Sequence, residues 1–235
     1  VGIISEPNAH PVNSERRLDD DEGCAPYVVA ALNGDVDNHE DLRVAHGLSF
    51  PGPITTDAKV IPALVNLEAR RCGDTVEAFR RAAATFEGSV AIGAMASDRP
   101  DRILLALRGS GQGLYVGLAE DLYVVSSEPY GLVEETPTYL RLDGEGTGPG
   151  DGQIVVLDGE LAGDLAGVRR LAYDGTELPV ATSDLSRAEV TTRDIDLGDA
   201  PHFLLKEISE APTSFRKTLR GKIAEDATGL RAVLG

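Results

Sequence analysis

Tyr27-Val28-Val29-Ala30-Ala31-Leu32-Asn33-Gly34 is the segment from which the architecture can be read. Six successive apolar residues closed by Asn-Gly predict a buried strand ending in a turn, because glycine takes φ > 0 without a Cβ penalty. Such a strand needs apolar cover, and the residues that follow supply it at helical spacing. Asp37 or Asn38 is placed to cap a short helix over 39–45. Thr56 or Asp57 is placed to cap a longer one, with Val60, Ile61, Leu64, Val65 and Leu67 on one face and Gly73 as its stop. Pro62 falls in its first turn or two. Asp74 or Thr75 opens a third helix, with Val76, Phe79, Ala82, Ala83 and Phe86 inward and Gly88 beyond its end.

Short apolar runs then predict strands over 89–95, 103–107, 114–118 and 122–126, separated by turn residues and forming one antiparallel meander. A helical turn is expected over 130–135 and a Gly-rich loop over 144–152. A strand over 153–157 with an Asp158-Gly159 hairpin leads to another over 168–173, closed by Asp174-Gly175. Residues 1–26 read as irregular and 181–201 as an extended polar linker. Helical spacing returns over 203–222, with Pro212 as a kink. Strand and helices, a meander and a late helix make an α+β layered sandwich.

The 235 residues include 39 acids and 22 bases, a formal net charge of −17. That balance repels nucleic acid and anionic membrane surfaces. No run approaches the roughly 20 apolar residues of a membrane span, and no basic, apolar leader is seen. The candidate basic patches, Arg16-Arg17 and Arg80-Arg81, each sit beside acids. Cys24 and Cys72 make neither a disulfide framework nor a zinc pattern, which points to a reducing, cytoplasmic setting.

Candidates for chemistry are few. Cys24 follows the acidic run Asp19-Asp20-Asp21-Glu22, which blunts a thiol, and Cys72 lies at a helix end beside Arg70-Arg71. His39 and His46 are seven apart but lack a third ligand, and Asp35-x-Asp37-Asn38 lacks the later positions of a calcium loop, so no metal is expected. Asn33-Gly34 has two readings: a turn, or a pair of donors to a developing negative oxygen. Asp57 likewise is either a helix cap or a carboxylate facing a ligand's ammonium.

Three motifs bear on that choice. Ser5-Glu6-Pro7-Asn8-Ala9-His10-Pro11, Leu32-Asn33-Gly34-Asp35-Val36-Asp37-Asn38-His39-Glu40-Asp41-Leu42-Arg43 and Thr56-Asp57-Ala58-Lys59-Val60-Ile61 resemble, in order, motifs of class II glutamine amidotransferases. Glu87-Gly88-Ser89-Val90-Ala91 opens a strand as in that family. His202-Phe203-Leu204-Leu205-Lys206-Glu207-Ile208, with Glu210 and Pro212, resembles the exit from the glutaminase domain toward sugar-isomerase domains in glutamine–fructose-6-phosphate aminotransferases. Residues 120–200 match poorly in sequence but keep a compatible strand rhythm.

The resemblance implies an N-terminal-nucleophile hydrolase fold, a four-layer α/β/β/α sandwich, here N-terminally incomplete. It implies a partial glutaminase domain over 1–200 and an exit helix and linker over 201–235. An N-terminal cysteine, with its own α-amine as base, would attack the side-chain amide of L-glutamine. Asn33 and Gly34 would hold the tetrahedral oxyanion and Asp57 the substrate ammonium, with no cofactor. The ammonia would aminate a sugar phosphate in isomerase domains of the same parent chain, and a homodimer is compatible with the resemblance. The family's Cys-Gly-Ile start and its Arg-Trp-Ala-Thr stretch are not among these residues, so the 235 residues alone are expected not to hydrolyse glutamine. The alternative is an inactive amidotransferase-like regulatory or scaffold domain.

Overall fold

The structure, a computed structural model, describes residues 3–15, 26–50, 52–109, 111–144, 152–188, 197–219, 223–226 and 229–232. Cys24, Arg16-Arg17, the acidic run at 19–22 and most of the Gly-rich stretch lie outside the described residues. The chain divides into two compact units, 1–191 and 192–235.

The first unit is built on a seven-stranded antiparallel sheet. Its strands are β1 (Val12–Asn13), β2 (Val28–Gly34), β3 (Val90–Ala96), β4 (Arg102–Arg108), β8 (Gln153–Asp158), β9 (Val168–Ala172) and β10 (Glu177–Leu178), in that spatial order. A second sheet, ordered β11-β7-β5-β6, joins β5 (Tyr115–Leu118), β6 (Tyr123–Ser126), β7 (Thr138–Arg141) and β11 (Leu185–Arg187). The helices are α1 (His39–Ala45), α2 (Val60–Cys72) and α3 (Thr75–Thr85), with a 3-10 turn, Asp57–Lys59, leading into α2.

Alternation along the central strands assigns their two faces. Val90, Ile92 and Ala94 of β3, Leu104 and Ala106 of β4, and Ile154 and Val156 of β8 pack with Ile61, Leu64, Val65 and Phe79 of the helices. Ala91, Leu105, Leu107, Val155 and Leu157 point the other way, against Val116 and Leu140 of the small sheet. Sidedness of this kind explains why these strands read as continuous apolar runs. On the far side of the small sheet, Leu132 and Thr136 sit over Gly117. The α+β sandwich expected from sequence is the architecture found, with helix, sheet and sheet as the described layers.

Several local expectations are corrected. The meander runs only through β2, β3 and β4; β5 leaves for the second sheet, and β8 takes its place beside β4. Asp158-Gly159 is not a hairpin turn: two 3-10 turns, Gly159–Leu161 and Leu165–Gly167, intervene before β9. Residues 181–188 are not linker, since β11 pairs with β7, and the irregular start contains β1, which pairs with β2. The helical turn expected over 130–135 is a single 3-10 turn, Pro129–Gly131.

Caps follow local chemistry only in part. Asp74 caps α3, accepting from the Glu77 N–H at 2.7 Å. Gly73 ends α2 in the left-handed region, and Pro62 is tolerated in the first turn of α2. Neither Asn38 nor Thr56 caps its own helix with its side chain.

The second unit holds α4 (Phe203–Leu219) and a hairpin of β12 (Ile223–Asp226) and β13 (Gly229–Ala232). Phe203, Leu204, Ile208 and Phe215 are exposed on α4, which continues through Pro212.

Candidate functional site

The end of β2 and the turn before α2 meet. Asp57 is 6 % exposed, and its Oδ2 accepts from the Val36 N–H at 2.8 Å, two residues beyond Gly34. Among the described residues its other carboxylate oxygen has no hydrogen-bond partner. The Asp57 carboxylate thus caps a neighbouring backbone across 21 residues of sequence.

Gly34 is the last paired residue of β2, opposite Val90, with φ +121. A Cβ there would collide with the Ser89 carbonyl oxygen. That oxygen accepts from the Asp35 N–H at 3.1 Å. In an antiparallel ladder this bond makes Gly34 a non-hydrogen-bonded member opposite Val90, so β3 does not use the Gly34 N–H. On the other edge β1 pairs only with Val29 and Ala30. Asn33 is exposed beside it, opposite Ala91.

The segment beyond Gly34 is held at each successive N–H. Asp35 donates to Ser89 O, Val36 to Asp57, and Asp37 to Glu87 O at 2.9 Å. The Val36 carbonyl in turn accepts from His39 Nδ1–H at 3.0 Å. Asn38 staples the same corner, its Nδ2 donating to Thr85 O at 2.9 Å and its Oδ1 accepting from the Glu87 N–H at 3.1 Å.

Asn8 does the equivalent work upstream of Asp57. Its Oδ1 accepts from the N–H groups of Thr55 and Thr56 at 2.8 and 3.1 Å, and its Nδ2 donates to Ile3 O at 2.8 Å. Lys59, 3 % exposed, donates to Glu15 Oε1 at 2.6 Å and Asn13 Oδ1 at 3.1 Å. The 57–59 turn is therefore tied to β2 by Asp57 and to the end of β1 by Lys59.

The structural roles of Asn8 and Lys59 escaped the sequence reading, and Asn38, read there as a helix cap, is instead a cross-link between distant segments. The only local signal was that all three stand inside the matching motifs; their partners lie 44 to 49 residues away.

The remaining candidates separate. Cys72 is half-buried at the end of α2, its Sγ 3.2 Å from Asp74 O. His39 is engaged with Val36, while His46 closes α1. Among the described residues no group of three or more His, Cys, Asp or Glu side chains is arranged to hold a metal ion. Nor is any helix there long and apolar enough to cross a membrane.

No protein-family model matches the chain. Curated proteins do. The glutamine–fructose-6-phosphate aminotransferase (isomerizing) of Idiomarina loihiensis is 30 % identical over 234 residues, covering 95 % of this chain and 32 % of that protein. The protein of the same name from Pseudomonas aeruginosa is 29 % identical over 231 residues, covering 96 % and 32 %. That of Escherichia coli K12 is 30 % identical over 241 residues, covering 97 % and 33 %. The chain spans about a third of the length of these relatives.

Among solved structures, the glutamine phosphoribosylpyrophosphate amidotransferase of B. subtilis matches with a TM-score of 0.52 at 20 % identity, over 72 % of this chain and 32 % of that one. A structure titled as the allosteric regulatory enzyme of purine biosynthesis matches with a TM-score of 0.51 at 21 % identity, over 71 % and 31 %. These two likenesses establish the fold, that of the N-terminal-nucleophile amidotransferases. Along almost its whole length the chain is thus similar to about a third of the glutamine–fructose-6-phosphate aminotransferases, and it shares the fold of an amidotransferase structure.

Proposed function

We propose that this chain is the glutaminase portion of a glutamine-dependent amidotransferase, releasing ammonia that aminates fructose-6-phosphate to glucosamine-6-phosphate in sugar-isomerase domains of the same parent protein. Residues 1–200 form the glutaminase part in this reading, and 201–235 lead toward the isomerase part. The carrying observation is the pairing of a buried carboxylate with an unspent backbone donor: Asp57 is bonded to Val36 beside Gly34, whose N–H β3 leaves unused.

In this reading an N-terminal cysteine of the parent protein attacks the carboxamide carbon of glutamine through sulfur, its own α-amine taking the thiol proton. The carbonyl oxygen becomes an oxyanion, to which the Gly34 N–H and Asn33 Nδ2 donate. The α-ammonium returns that proton to the nitrogen as the C–N bond breaks and ammonia leaves, and water then hydrolyses the thioester to glutamate and free thiol. Asp57 keeps Oδ2 on Val36 and offers its other oxygen to the substrate α-ammonium, a charge-assisted bond of about 1.5–3 kcal/mol. The staples from Asn8, Asn38 and His39 immobilise both halves, so the donors need no reorganisation as charge develops. The scaffold alternative finds no observation in its favour, since turn and carboxylate remain assembled.

The test is steady-state ammonia release from glutamine by the protein at its full natural length. N33A removes one oxyanion donor and is expected to lower kcat by about 10²–10³-fold with KM little changed. D57N keeps an acceptor for Val36 while losing the charge, and is expected to raise KM by about tenfold or more. Wild-type kcat and KM in both variants would overturn the assignment.

A further inference from the structure

We infer that His39 is a positioning residue of the site, an inference that rests on the glutaminase reading. Its ring holds Val36 in the orientation that aims the Asp57 carboxylate at the substrate α-ammonium. The carrying observation is a chain of two hydrogen bonds through one residue. His39 Nδ1 donates to Val36 O at 3.0 Å, and the Val36 N–H donates to Asp57 Oδ2 at 2.8 Å. Among the described residues no other donor reaches the Asp57 carboxylate, so that N–H sets which oxygen is spent and which is offered.

Val36 is buried and stands between β2 and α1, outside both elements. Asp35 and Asp37 bracket it through their bonds to Ser89 O and Glu87 O. The Val36 carbonyl accepts twice, from the His39 N–H at 3.1 Å and from the ring at 3.0 Å. The first of these bonds belongs to the start of α1, a seven-residue helix whose Asn38 makes no side-chain cap. A helix that short has little rigidity of its own. The ring bond therefore supplies a restraint that the helix start lacks.

A carbonyl oxygen only accepts, so Nδ1 of His39 carries the hydrogen. The other ring nitrogen, Nε2, lies 3.8 Å from Glu40 Oε1 and takes no part in the chain to Asp57. The two ring nitrogens are thus separable by substitution. Asparagine can place its Nδ2 donor where Nδ1 stands, whereas alanine and phenylalanine carry no donor. Phenylalanine keeps the bulk of the ring.

Steady-state ammonia release from glutamine by the protein at its full natural length tests this. H39A and H39F are expected to raise KM for glutamine about three- to tenfold with kcat within about twofold of wild type. The loss falls on the grip of the ammonium and not on the oxyanion. H39N is expected to bring KM back to within about twofold of wild type, and E40Q, on the other side of the ring, to leave both constants unchanged. Amide hydrogen exchange gives a readout that needs no turnover. Peptides spanning 33–38 are expected to exchange faster in H39A and H39F and at the wild-type rate in H39N. An unchanged KM in H39A and H39F overturns the inference, as does a fall in kcat without a rise in KM. So does failure of H39N to rescue, or exchange that loss of the ring leaves unaltered. Such a failure leaves the glutaminase reading standing where N33A and D57N respond as stated; a wild-type protein that releases no ammonia removes both.

Discussion

At the scale of single residues, Gly34 is the position where backbone geometry and chemistry coincide. Its φ of +121 and the Ser89 carbonyl lying where a Cβ would stand leave no room for a side chain. G34A is expected to cost about 2–5 kcal/mol in urea unfolding, from strain and overpacking together. G73A is the matched control, because Gly73 has φ +70 with open space around it; its cost should be nearer 1 kcal/mol. Tyr173 is a different case. Its ring is fully buried under the Arg108 guanidinium, 5.2 Å from the ring centroid, and among the described residues its hydroxyl has no hydrogen-bond partner. Burial pushes its ionisation up. Y173F keeps the ring–cation contact and removes an unsatisfied polar atom, so stability should be unchanged or higher by about 1 kcal/mol. A clear loss in the unfolding midpoint would show that the hydroxyl has a partner in solution.

At the scale of elements, α3 carries the strongest electrostatic device among the described residues. Glu77 accepts from Arg80 Nε and Nη2 at 2.7 Å each and from Arg81 Nε at 2.7 Å. Arg80 Nη1 also donates to Tyr173 O at 2.5 Å, fastening the helix to the end of β9. The Arg80 hydrogen bonds, followed by those from Arg81, hold the Glu77 carboxyl at about 2 against its ordinary 4.5. A depressed carboxylate stabilises the folded state above the unfolded value, and that contribution is lost as pH falls from about 4.5 toward 2. Because the Glu77 side chain is 35 % exposed, solvent screening limits the effect to about 1 kcal/mol. E77Q should therefore flatten the fall in denaturant midpoint between about pH 5 and pH 3 without changing the midpoint's trend above pH 6. An unaltered acid limb in E77Q would assign that fall to other carboxylates.

At the scale of the whole molecule, a formal charge of −17 works against the compact state through self-repulsion. Added salt shortens the Debye length from about 10 Å at 0.1 M toward 3 Å at 1 M. The melting temperature should therefore rise with sodium chloride over this range, even though pairs such as Arg43–Glu40 are weakened. A melting temperature that falls with salt would mean that ion pairs outweigh the repulsion.

What the sequence determined by itself was the elements set by apolar periodicity among near neighbours. The α+β class, helices α1 to α3 with the Gly73 stop, and the central strands β2, β3, β4 and β8 follow from apolar periodicity and Asn-Gly chemistry, while the structure chose Asp74 over Thr75 as the cap of α3. The ordered motifs likewise singled out Asn33, Gly34 and Asp57. Only the tertiary structure decided which strand lies beside which. The transfer of β5 out of the meander, the insertion of β8 next to β4, and the two- and three-residue strands β1, β10 and β11 carry no periodic signal of their own. They exist because longer strands elsewhere offer unpaired backbone edges. The same holds for Asp57: a cap by local spacing, it bonds across 21 residues to Val36, since burial leaves its carboxylate no water and makes a distant N–H its partner.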